Sequence, residues 1–161
     1  MMQKSSTTFL KTVIYLMGLI MIALSVILIP QIIIDISDSS AMVKWVIYPI
    51  VIGVFLTTIP FYLALYQALK LLRLIDQNQT FSEEAVFTLK KIKQCALTIT
   101  GIYILTMPFI YLFAEKDDAP GVIIIGMVPL FVSFVVAVFA SLLQKLFKNA
   151  LEIKTENDLT V

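Results

Sequence analysis

Histidine is absent from this chain, cysteine occurs once, at Cys95, and only 14% of the 161 residues are charged. Without imidazole there is no ordinary general base for neutral pH, and the commonest transition-metal ligand is missing. One thiol excludes an intramolecular disulfide, and Cys95 stands at the edge of an apolar run, where it reads as a small hydrophobe with no base to activate it. The serines lack a nearby base, and the carboxylates lack metal-ligand spacing. No catalytic residue, cofactor or metal is therefore expected. Twelve basic residues against eleven acidic ones leave a formal net charge of +1, which offers no surface for nucleic acid.

What the sequence has in excess is oil. Hydrophobic residues make up 60% of it and the mean hydropathy is +0.97, whereas an ordinary soluble domain is about half apolar and a quarter charged. A particle this small cannot hide so much apolar surface from water, so lipid is the expected solvent. Four charge-free runs, 12–34, 45–69, 94–114 and 119–144, lie between charged clusters. Each exceeds the roughly 20 residues a helix needs to cross the hydrocarbon core. Strict alternation is missing, which argues against a barrel. The expected fold is all-α: one polytopic transmembrane domain over 1–161 with four transmembrane helices. Lys4 and Lys11 before the first run resemble a secretory leader, but the run is long and no small-x-small cleavage site follows, so it is read as a span.

Basic residues set the threading, because cytoplasmic segments carry their excess. The N-terminal tail, the 70–93 loop and the 145–161 tail hold ten of the twelve, and the two outer connections hold only Lys44 and Lys116. Both termini and the central loop are thus expected in the cytoplasm. Trp45, Tyr48, Tyr111 and Phe113 then fall near the outer interface, where amphipathic rings settle.

The central loop continues the second helix through Leu71, Leu72, Leu74 and Ile75, turns at Asp76-Gln77-Asn78-Gln79, and opens the third helix. Thr80 or Ser82 is the expected cap, Thr80-x-x-Glu83 fits a capping box, and Glu83 and Glu84 suit the positive end of the helix dipole. The 145–161 tail reads as a helix along or just below the membrane surface that stops near Asn157.

Inside the spans there is no ionisable group of the kind that coupled ion transport requires. Thr57, Thr58, Tyr62, Tyr66, Gln67, Thr98, Thr100, Tyr103, Thr106 and Ser133 are expected to bond helix to helix. Small residues spaced by four suggest packing seams: Pro60, Ala64 and Ala68 on the second helix, Ser133, Ala137 and Ser141 on the fourth. The same seams leave room for a homo-oligomer. Pro30, Pro49, Pro108 and Pro120 lie toward the outer ends, Pro60 and Pro129 nearer mid-helix, a pattern that fits a bundle tight inside and splayed outward.

Two stretches carry a family likeness. Phe81-Ser82, Val86 and Leu89-Lys90-Lys91-Ile92 form the first. The second runs from Ala150 to Val161 and closes on Glu156-Asn157-Asp158-Leu159-Thr160-Val161. Together with the four-helix layout they resemble the bacterial membrane family DUF2975; Asn78-Gln79-Thr80 departs from it where many relatives carry glycine. The resemblance implies a multi-pass protein of the bacterial cell membrane. It also implies a partner, a small helix-turn-helix DNA-binding protein often encoded beside such relatives, for which the chain would serve as sensor or tether. Phe81, Ser82, Glu156, Asn157, Asp158 and Leu159 are the expected docking residues. Two other functions stay open: protection against membrane-active agents, and transport of an apolar cargo.

Overall fold

A computed structural model describes residues 2–160, with side chains from Ser5 onward. Four helices account for nearly all of it: α1 (Met2–Ser37), α2 (Ala41–Asp76), α3 (Glu83–Lys116) and α4 (Gly121–Leu159). No strand occurs among the described residues. All four are long and apolar enough to cross a membrane. Most large aliphatic and aromatic side chains face outward, from Phe9 on α1 to Phe139 on α4. That surface is stable only against acyl chains.

Among the described residues, backbones pack closely only in chain order, α1 with α2, α2 with α3 and α3 with α4. The result is a row with α3 near its centre rather than a ring of four. The buried face of α3 is built from small side chains, among them Ala85, Thr88, Ala96, Thr100, Thr106 and Ala114. Thr100 and Ser133 join α3 to α4 through a hydroxyl pair 2.8 Å apart. Gly126 of α4 lies under Ile110 and Met107, and Gly53 of α2 under Thr106. A Cβ on Gly53 would sit 2.5 Å from the Thr106 hydroxyl oxygen, so glycine is what lets α2 and α3 approach there.

Among the buried residues are Val46, Gly53, Pro60, Gln67 and Leu74 on α2 and Gly126, Ser133 and Ala140 on α4, with Thr57, Leu72 and Ala137 buried beside them. The first two series step by seven, the recurrence of left-handed helix packing. Of the four-spaced seams, Pro60, Ser133 and Ala137 are buried, while Ala64, Ala68 and Ser141 are half-buried. The two seams do not meet, because each of their helices packs on α3.

Both long turns use the same device. After α2, Gln79 N–H donates to the Leu74 carbonyl at 2.8 Å and Asn78 N–H to that of Ile75 at 3.1 Å, with Asn78 left-handed at φ 59°. After α3, Ala119 N–H donates to the Ala114 carbonyl at 2.9 Å, and Asp118 takes φ 51°. These are Schellman-type stops. Asn and Asp tolerate that backbone better than other non-glycine side chains, so neither turn needs a glycine there.

Candidate functional site

One end of the row, here the basic end, gathers the start of α1, the α2–α3 turn and the close of α4. Each neighbouring pair is tied there. Lys11 Nζ meets Asp76 Oδ2 at 2.7 Å, linking α1 to α2, and Lys70 Nζ meets Glu84 Oε1 at 3.2 Å, linking α2 to α3. Phe81 in the turn packs edge-to-face on Phe147 of α4, with centroids 5.4 Å apart. Such an aromatic contact contributes about 0.5–1.5 kcal/mol beyond area burial.

Ser82, not Thr80, caps α3: its hydroxyl oxygen accepts from Ala85 N–H at 3.2 Å and its O–H donates to the Gln79 carbonyl at 2.8 Å. The expected Thr80–Glu83 box fails because the helix starts two residues later, which puts Ala85, without a carboxylate, three residues after the cap. Glu83 and Glu84 do fall in the first turn.

The tail also differs from expectation. It is not a separate surface helix; α4 runs on as one helix to Leu159 and passes Asn157 without stopping. Thirty-nine residues of helix reach about 58 Å, nearly twice the hydrocarbon thickness. No helix breaker interrupts 145–159, so backbone hydrogen bonding continues past the lipid. Glu152 and Glu156, one turn apart with like charge, lower its stability by only a few tenths of a kcal/mol, roughly.

Because α3 begins and α4 ends beyond the apolar runs, the two stand side by side and enclose an open groove of about 590 Å³. Val86, Phe87 and Leu151 give it apolar surface; Glu83, Glu152 and Glu156 supply carboxylates, Lys90 and Lys148 ammonium groups. Lys91 Nζ rests 4.9 Å over the Phe87 ring. No three potential metal ligands converge among the described residues. The groove offers apolar contact flanked by both signs of charge, a surface complementary to an amphipathic helix.

Of the expected docking residues, Glu156 lines this groove. Phe81 and Ser82 lie beside it, engaged with Phe147 and the cap. Asn157, Asp158 and Leu159 stand exposed in the last turn of α4, outside it. Phe87 and Lys148 carry no motif, and Glu152 lies in the Ala150–Val161 stretch without being singled out; an aromatic and charges at helical spacing beyond the apolar runs are what point to them.

The opposite, acidic end is looser. A cleft of about 650 Å³ opens there, walled by side chains such as Ile36, Val51, Tyr103, Ile110 and Ile125, with Asp35 and Asp117 among its lining. Lys44 Nζ reaches the Ser37 carbonyl at 3.3 Å and closes the short α1–α2 turn.

Residues 31–161, from the last turns of α1 through α4, match the family described as "Protein of unknown function (DUF2975)". The chain belongs to this family. It is also 49% identical over 160 residues to the "Uncharacterized membrane protein YoaS" of Bacillus subtilis (strain 168), covering 99% of this chain and all of that one. No solved structure matches. Membership accords with the Phe81 to Ile92 and Ala150 to Val161 stretches, whose described residues, through Thr160, the structure brings to the same end of the molecule.

Proposed function

We propose that this DUF2975 protein is a non-enzymatic tether in the bacterial cell membrane that holds a small helix-turn-helix regulator at its basic end. The basic end faces the cytoplasm in this reading, as the ten basic residues gathered in its tails and loop require. The groove between α3 and α4 carries the proposal, since two helices that outrun the bilayer side by side leave apolar side chains in water unless something covers them. An amphipathic helix of the regulator would place its apolar stripe on Val86, Phe87 and Leu151. Its charges would meet the Glu152–Glu156 and Lys90–Lys148 rims.

The test is detergent co-purification of the chain with a small helix-turn-helix protein, the first candidate being any that a neighbouring gene encodes. Recovery should fall at least about tenfold with Val86→Glu plus Leu151→Glu, which buries charge in the interface, and with truncation after Phe147, which removes one wall. Unchanged recovery from both variants would remove the groove from the reading. For threading, a fluorescent protein fused at the C-terminus should light up and a phosphatase that folds only outside the cytoplasm should stay inactive.

A second reading, protection against membrane-active agents, is favoured by the acidic-end cleft: apolar walls with Asp35 and Asp117 suit a cationic amphiphile. Deletion that changes sensitivity to such agents without changing transcripts would support it over tethering.

A further inference from the structure

A third concavity, of about 440 Å³, lies between α2 and α3 nearer the basic end. Ile59, Pro60 and Leu63 line it from α2, with Gln67 one turn closer to the basic end; Lys91 and Gln94 line it from α3. Lys91 precedes the charge-free run 94–114 and Gln67 lies near the close of run 45–69. The concavity thus straddles the boundary between headgroups and hydrocarbon, polar groups toward the water and aliphatic ones toward the bilayer centre.

Gln67 is the unusual member. It is 8% exposed, its Oε1 is sealed from solvent, and that oxygen has no hydrogen-bond donor. A carbonyl oxygen left without a donor in a lipid-solvated helix pair is costly enough to need a partner, and rotation about the terminal amide torsion, which is soft, turns a polar atom to the groove. Beside it Lys91 makes no ion pair with any described carboxylate, its Nζ lying over the Phe87 ring instead. No carboxylate lines the groove.

We propose that this groove is a binding site for phosphatidylglycerol, an anionic phospholipid with a hydroxylated headgroup. Lys91 takes the phosphate, and Gln67 exchanges hydrogen bonds with the headgroup hydroxyls. Gln94, less than a turn deeper, meets an ester carbonyl, and an acyl chain follows Ile59 and Leu63. Phosphatidylethanolamine fits worse, because its ammonium would meet Lys91 with no carboxylate to receive it. The site opens between α2 and α3 and touches the regulator groove at one point, where Lys91 lies over the Phe87 ring.

The experiment is native mass spectrometry of the full chain released from nanodiscs holding equal amounts of phosphatidylglycerol and phosphatidylethanolamine. The unmodified chain should retain phosphatidylglycerol preferentially. Lys91→Gln should lower that retention about fivefold, the weight of one basic residue at an anionic surface, and Gln67→Met should lower it while keeping side-chain volume. Lys90→Gln, which removes the same charge outside the groove, should leave it unchanged. Soluble glycerol phosphate should not displace the lipid; displacement would mean an anion site without lipid specificity. Equal loss in Lys90→Gln, or no preference in the unmodified chain, would overturn the proposal. Thermal melts of each variant separate lost binding from lost folding.

Discussion

α1 and α3 are of similar length and both can cross the bilayer, yet they are held in opposite ways. α3 is buried along a stripe that runs from Ala85 to Ala114 and packs closely on two neighbours. In α1, no described residue between Thr7 and Ile36 is buried. Its ties to α2 include the Lys11–Asp76 ion pair and a 3.3 Å bond that Tyr62 O–H donates to the Gly18 carbonyl. The oilier helix is the less packed one, the reverse of a water-soluble core. In lipid an aliphatic side chain gains nothing by changing an acyl neighbour for a protein one, so association depends on small residues that admit close approach and on polar groups that need partners. α3 has Ala and Thr at those positions; α1 presents Leu, Ile and Met.

The sharpest way to break this contrast is to enlarge the small-residue face. Ala137→Leu, opposite α3, should cost about 1–3 kcal/mol through overpacking, whereas Ala23→Leu on the exposed surface of α1 should stay within about 0.5 kcal/mol. Reversible unfolding in mixed micelles measures both, and equal losses would show that the α3–α4 contact is no tighter than the lipid contact.

Asn78→Ala should come next, at about 1–2 kcal/mol, because alanine resists the left-handed backbone of the α2–α3 turn. Asn78→Gly should be neutral or stabilising. The same unfolding assay reads both, and neither should change the difference between the helices.

Thr100→Val removes the hydroxyl pair with Ser133 and should cost about 0.6–1.7 kcal/mol. Adding Ser133→Ala should cost little more, since the shared bond is already gone; full additivity in this double-mutant cycle would mean that the two hydroxyls do not interact.

The smallest effect belongs to α1. Lys11→Gln should change global stability by less than about 1 kcal/mol, because the pair is partly exposed and screened. Hydrogen exchange around Gly18 should nonetheless rise while exchange in α3 holds steady. A rise in both would mean that α1 is coupled to the rest of the row more tightly than its exposure implies.

Much of this was legible beforehand, for identifiable reasons. The four helices and the α2–α3 turn follow from local composition: charge-free runs of spanning length, a turn at 76–79, and acids at the start of α3. The sequence leaves the cap open between Thr80 and Ser82, since both suit the position, and the Thr80–Glu83 box falls two residues early because only the backbone after Asn78 decides between them. The tail was misread because its charges and apolar residues fit a surface helix as well as a projecting one. The docking residues suffered from the same ambiguity. A closing signature at 156–161 drew attention to Asn157, Asp158 and Leu159, but the groove is made higher on the helix, at Lys148, Leu151 and Glu152, where α3 stands alongside.

Composition alone determined that this chain lives in lipid as four helices, because the cost of wetting or burying each residue is a local property that adds along the chain. Which helices touch was decided in three dimensions. Val46, Gly53, Pro60, Gln67 and Leu74 share a buried face by position and not by chemistry, so no hydropathy pattern announces them. Lipid solvates every apolar face alike, and the choice among faces is left to shape and to a few hydrogen bonds.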